Sequence, residues 1–188
     1  MGQRNLEDKY KGWLERFSNA VSNQLGTNIR DKILEKCESC QEVSDDLEMA
    51  LCIKDVMERF DKIVDDKNER YNVMEILGNQ CVKNFLGVAT EVKKDSKGVE
   101  EIVKNLNGKL GADLFKLVGN EIHSTLDRCF CHWGVKETKE PISVTYCHCS
   151  LGWMKTLFKT LLDKPVEVDL VQSVITGADS CKFIIHLD

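Results

Sequence analysis

No apolar run in this chain of 188 residues approaches the length that crosses a bilayer, about 20 residues, so no membrane span is expected. The start, Met-Gly-Gln-Arg-Asn-Leu-Glu-Asp, has no hydrophobic signal region. Leu6 stands where an N-myristoylation pattern on Gly2 wants Ser or Thr. Excess positive charge is also missing. The net charge is −5, and Lys and Arg are scattered beside acidic residues, as in Asp65-Asp66-Lys67-Asn68-Glu69-Arg70. Without a basic stripe, nucleic acid is not an expected partner. There is no Gly-rich phosphate loop, no Gly-x-Ser-x-Gly and no His-Glu-x-x-His, which removes the signatures of phosphoryl transfer, serine hydrolysis and zincin chemistry.

What the chain does have is cysteine, nine in all. Without an export signal these point to a cytoplasmic protein with reduced, metal-binding or redox thiols. Cys129-Phe130-Cys131 and Cys147-His148-Cys149 are two Cys-x-Cys pairs in runs rich in β-forming residues. In a strand, residues two apart face one side at about 6.6 to 6.8 Å, near the upper limit for an unstrained disulfide. Two such strands side by side would place four sulfurs around one Zn²⁺, with metal–sulfur distances of about 2.3 Å. The bland alternative is four small buried thiols. By the same alternation His132 and His148 face away and rank as second-choice ligands. Cys37-Glu38-Ser39-Cys40 is a Cys-x-x-Cys, a candidate redox pair or half metal site. Cys52 and Cys81 sit in amphipathic patterns and read as core.

Charge and periodicity divide the chain. Residues 1–108 hold 38 of its 57 charged side chains, and there the apolar positions recur at helical spacing: Ile53, Val56, Met57, Phe60, Ile63 and Val64, then Met74, Leu77, Cys81, Phe85, Val88 and Val92. Shorter helices are expected over Tyr10–Val21, Val99–Leu106 and Leu110–Val118. Beyond about Ile122 the pattern predicts strands at Thr125–Trp133 and Ile142–Cys149, a helix from a Ser150 cap to Leu162, and strands from Pro165 to Val174 and through Cys181, Phe183, Ile185 and Leu187. The expected fold is α+β: one domain, with N-terminal helices (1–122) packed on a C-terminal antiparallel sheet of order β-β-α-β-β (123–188). Phe115, Val118, His123 and Trp153 are candidates to line a ligand pocket.

Three segments of the last third, Tyr146-Cys-His-Cys-Ser-Leu-Gly-Trp153, Lys164-Pro-Val-Glu-Val168 and Gly177-Ala-Asp-Ser-Cys-Lys-Phe183, resemble the 4-vinyl reductase domain. That domain has a Cys near a Gly-aromatic helix start, a Gly-x-Pro-Val strand entry and a terminal Gly-x-x-x-Cys-x-Phe. Its superfamily includes Golgi transport-particle components and heme-based nitric-oxide sensors. The resemblance covers roughly residues 125–188 and is similar also to bacterial and archaeal members of the superfamily and, more distantly, to aminothiazoline-carboxylate hydrolase relatives. It implies a module that binds a small apolar or aromatic ligand, as in aromatic-effector sensors, with a structural zinc held by cysteines and a glutamate. Cys147 and Cys181 match two of those thiolates. Leu170 falls at the glutamate position and Ser173 at a third Cys, so the family site does not carry over intact. The candidate metal set is therefore Cys129, Cys131, Cys147 and Cys149, with Cys181 in reserve. Two other functions remain open at this point: a hydrolase-like enzyme using a reactive Cys or a metal-bound water, and a protein–protein module, which could be a homodimer.

Overall fold

The structure is a computed structural model that describes residues 6–35, 43, 45–127, 129, 135–138 and 140–187. Cys37, Cys40, Cys131 and His132 lie outside the described residues. The N-terminal helices are α1 (Leu6–Leu25), α2 (Thr27–Leu34), α3 (Asp46–Ile63) and α4 (Lys67–Cys81); a 3₁₀ turn (Val82–Phe85) then leads into α5 (Leu86–Lys94) and α6 (Val99–Leu110). Strands β1 (Phe115–Val118) and β2 (Glu121–Leu126) follow, then α7 (His148–Leu162), β3 (Val168–Gln172) and β4 (Cys181–His186). The fold is α+β, and the four strands pair antiparallel in the spatial order β1-β2-β4-β3.

Local chemistry explains the element ends. The Asp45 side chain accepts from the Glu48 N–H at 2.8 Å and caps α3, as Asp66 does for α4 through Asn68 N–H. The α4–α5 stripe expected as one helix is interrupted by the 3₁₀ turn, where α4 gives way to α5. The helix expected over Leu110–Val118 does not form. Gly111 takes a left-handed φ of 69° and ends α6, and the Asn107 side chain accepts from the Leu114 and Phe115 N–H groups and donates to Phe115 O. The freed segment becomes β1, joined to β2 by the two-residue turn Gly119-Asn120 with Gly119 at φ 60°.

The first strand pair thus lies earlier in the chain than its β-branched composition predicts. Ile142–Cys149 is not a strand either: Ser143 Oγ accepts from the Thr145 N–H at 3.1 Å and starts a 3₁₀ turn (Val144–Cys147) that runs straight into α7 at His148. Local side-chain hydrogen bonding outweighs strand propensity there, and α7 begins two residues before the Ser150 cap expected for it.

Two cores meet along α7. The first packs α1, α3 and α4 around Trp13, which stacks on Phe17 at 5.3 Å; Phe17 in turn meets Phe60 edge-on at 5.3 Å. The second fills the space between α5, α6, α7 and the sheet, with Phe115 edge-on to Phe158 at 5.3 Å. Helices α4 and α7 cross in backbone contact. A Cβ on Gly78 would stand 2.0 Å from the Cys149 carbonyl oxygen, and one on Gly152 would stand 2.0 Å from the Glu75 carbonyl oxygen. Around the crossing Lys155 Nζ reaches Glu75 Oε2 at 3.0 Å, and the His148 ring stacks on Tyr71 at 3.5 Å.

Gly78→Ala or Gly152→Ala should destabilise the fold by about 3 kcal/mol or more, the upper range of overpacking, because backbone atoms block the new methyl. Gly87→Ala on α5, with nothing within 4 Å of its Cβ, should instead stabilise by up to about 1 kcal/mol. Denaturant midpoints of the three variants check both.

Candidate functional site

The first cysteine group forms where the start of α7 meets the connection between β3 and β4. Cys147 closes the 3₁₀ turn before α7, Ser173 follows β3, and Cys181 opens β4 opposite Leu126. A register irregularity between Leu170 and Gln172 lies just before Ser173, and such bulges re-aim the chain next to functional sites. All three side chains are buried. Cys147 Sγ lies 3.0 Å from Ser173 Oγ, Cys181 Sγ donates to the same oxygen at 3.9 Å, and Val174 N–H donates to Cys181 Sγ at 3.4 Å. Burial pushes the Cys147 thiol up to about 12; the Ser173 hydrogen bond opposes this, and the nearby Cys129 and Cys181 add to it. Cys147 is therefore a neutral, inert thiol as it stands. Among the described residues no group of three or more His, Cys, Asp or Glu is spaced to hold a metal ion.

Cys149 belongs elsewhere. Residues two apart in a helix point about 200° from each other, so the winding of this segment separates Cys149 from Cys147, where a strand would have aligned them. The Cys149 thiol hydrogen-bonds Cys81 at the end of α4. That hydrogen bond is the largest influence bringing Cys81 down to about 7; partial burial opposes it, and the charge and hydrogen bond of Arg16 on α1 assist. Cys81 had the periodicity of a core residue. Its role follows from a helix crossing that no local spacing announces. Cys81, Cys129, Cys147, Cys149 and Cys181 all stand outside any disulfide, whereas Cys52, read from sequence as a core thiol, is disulfide-bonded.

The four pocket candidates do not come together. Phe115 is buried in the second core, and strand alternation places His123 on the other face of the sheet, its Nε2 2.7 Å from Glu121 Oε2. Val118 is 43% exposed, and Trp153 packs on Phe85 at 5.6 Å. A cavity of about 410 Å³ opens instead between the ends of α1 and α3 and the starts of α2 and α4. Leu25, Ile29, Ile63 and Val64 give it an apolar wall, and Asp65, Asp66 and Glu69 an acidic rim. Its lining comes from two stretches far apart in the chain, residues 24–29 and 63–69, so no local pattern announces it.

Fold and side chains together define an α+β protein with two unlike thiol groups at the two sides of one helix start. The chain belongs to a family of unknown function, DUF6144, whose model matches residues 15–188. No curated protein matches it. No described helix is long and apolar enough to cross a membrane.

The thiolate is the reactive form, so alkylation of Cys81 should rise with pH through a midpoint near 7, while Cys147 stays unlabelled until the chain unfolds. Arg16→Gln removes the cation and should shift the Cys81 midpoint upward, slowing labelling at neutral pH several-fold. Iodoacetamide pH–rate profiles with peptide mapping measure both.

Proposed function

We propose that this chain is a cytoplasmic small-molecule-binding domain of the 4-vinyl reductase type, stiffened by a structural thiolate zinc site. The observation that carries this reading is the meeting of Cys147, Ser173 and Cys181 around one hydroxyl oxygen. These are three of the four positions that the resemblance assigns to the metal. Two backbone details support it. Asp163, where the strand-entry motif has Gly, takes a left-handed φ of 57°, and Gly177, the glycine of the terminal motif, takes φ 101°. Both are positions that suit glycine.

The donors suit zinc in kind. Cys147 and Cys181 are soft ligands, and the sulfur of Cys129 would have to move in to stand in for what Leu170 cannot supply. Cys131 is the fourth candidate on spacing. Binding would replace the Cys147–Ser173 hydrogen bond and turn neutral thiols into thiolates. A site filled by protein ligands leaves no open position for substrate, so the role is to tie the start of α7 to the β3–β4 connection. For the ligand, the 410 Å³ cavity falls within the range of small-molecule sites, about 300–1,000 Å³. Its lining is more polar than apolar, and its acidic rim suits a cationic group on a small ligand.

Metal analysis of protein purified without chelator tests this. About one equivalent of zinc is expected, falling below about a tenth in Cys147→Ala and Cys181→Ala, with lower thermal stability. Less than about a tenth of an equivalent in the unmodified chain, with all of these thiols titrating, would sink the metal site.

A further inference from the structure

We propose that Cys81 and Cys149 form a redox dithiol that exchanges with low-molecular-weight disulfides and closes to a disulfide tying α4 to α7. The two cysteines are 68 positions apart in the chain, but the contacts of Gly78 with Cys149 and of Gly152 with Glu75 run the two helices antiparallel and set Cys81, one turn beyond Gly78, beside Cys149, the group that acts most strongly on its thiol. What holds them together is rigid. Because Gly78 and Gly152 let the two helix backbones touch, the sulfurs are brought together by main chain rather than by flexible side chains. Both cysteines are half-buried and stand outside any disulfide, which leaves them reachable by a small reagent, unlike the buried Cys147 and Cys181. Arg16 places a cation beside Cys81, the side from which an anionic disulfide is drawn in.

The exchange balances without a metal. Cys81 Sγ, as thiolate, attacks one sulfur of a disulfide RSSR; a Cys81–SR bond forms, the S–S bond breaks and RS⁻ leaves. Cys149 then attacks Cys81 Sγ, its proton passing to the departing thiolate. The protein disulfide forms and the second group leaves as RSH, while the first RS⁻ takes up from solvent the proton that Cys81 had released. Two electrons pass from the cysteine pair to RSSR, which ends as two thiols. The closed form would lock the α4–α7 crossing, and thiol reductants would reopen it.

The test treats the full chain, as purified, with glutathione disulfide and maps cysteine linkage by mass spectrometry under non-reducing conditions. The expected result is a linked Cys81–Cys149 peptide pair with loss of two hydrogens, a higher melting temperature, and full reversal by dithiothreitol. Cys149→Ser should stop at one glutathionyl group on Cys81, and Cys81→Ser should give no linked pair. Circular dichroism checks that the variants fold; should either not fold, linkage mapping of the unmodified chain decides alone. A chain that stays unlinked, that halts at a glutathionyl adduct on Cys81, or that links Cys147 to Cys181 first overturns the proposal. The Cys81–Cys149 linkage and the zinc content are read separately, so this proposal and the metal site can fail independently.

Discussion

Two glycines allow the backbones of α4 and α7 to touch, and most of the arrangement follows from that contact. A side chain at Gly78 or Gly152 would meet a carbonyl oxygen at 2.0 Å, so no other residue lets the helices approach so closely. The contact fixes where the start of α7 lies against α4. That start carries Cys147 toward β3 and β4 on one side and Cys149 toward α4 on the other. The same helix closes both hydrophobic cores, so thiol chemistry and packing share one support.

The two thiol groups show how environment divides identical side chains. Cys147 is buried with no cation among the groups acting on it, and desolvation dominates: its thiol is pushed up to about 12. Cys81 also loses solvent, but a hydrogen bond from Cys149 and the guanidinium of Arg16 outweigh that loss and bring it down to about 7. One thiol is chemically silent until something soft and cationic replaces its hydrogen bond. The other is poised to react at neutral pH. Two residues are enough to separate the sites because helical winding, about 100° per residue, sends Cys147 and Cys149 to different neighbours.

Much of the fold was legible. The apolar stripes that mark α3, α4 and α7 have the helical period, and the alternation of Cys181, Phe183 and Ile185 marks β4, which is buried in that same pattern. Cys147, Ser173 and Cys181, which only the resemblance groups together, meet in space. The first strand pair was not legible. The β-branched run from Ile142 to Cys149 reads as a strand, but Ser143 caps a turn there. The segment before Val118 reads as helix, but Asn107 and Gly111 end α6 and release it to the sheet. In both places one side chain hydrogen-bonded to backbone decided against the local propensity.

Sequence alone determined the α+β class, the helical stripes of the first half and the net charge of −5. These depend on composition, periodicity and short-range distance along the chain. Only the tertiary structure decided which cysteines are partners. Cys149 left the set its Cys-x-Cys spacing suggested and joined Cys81, 68 positions away. Cys81 left the core role its periodicity suggested. The cavity rimmed by Asp65, Asp66 and Glu69 also exists only where two distant chain segments meet. The reason is the same in each case: a side chain's neighbours across a helix crossing are set by how closely two backbones can approach, which at Gly78 and Gly152 depends on the absence of a side chain.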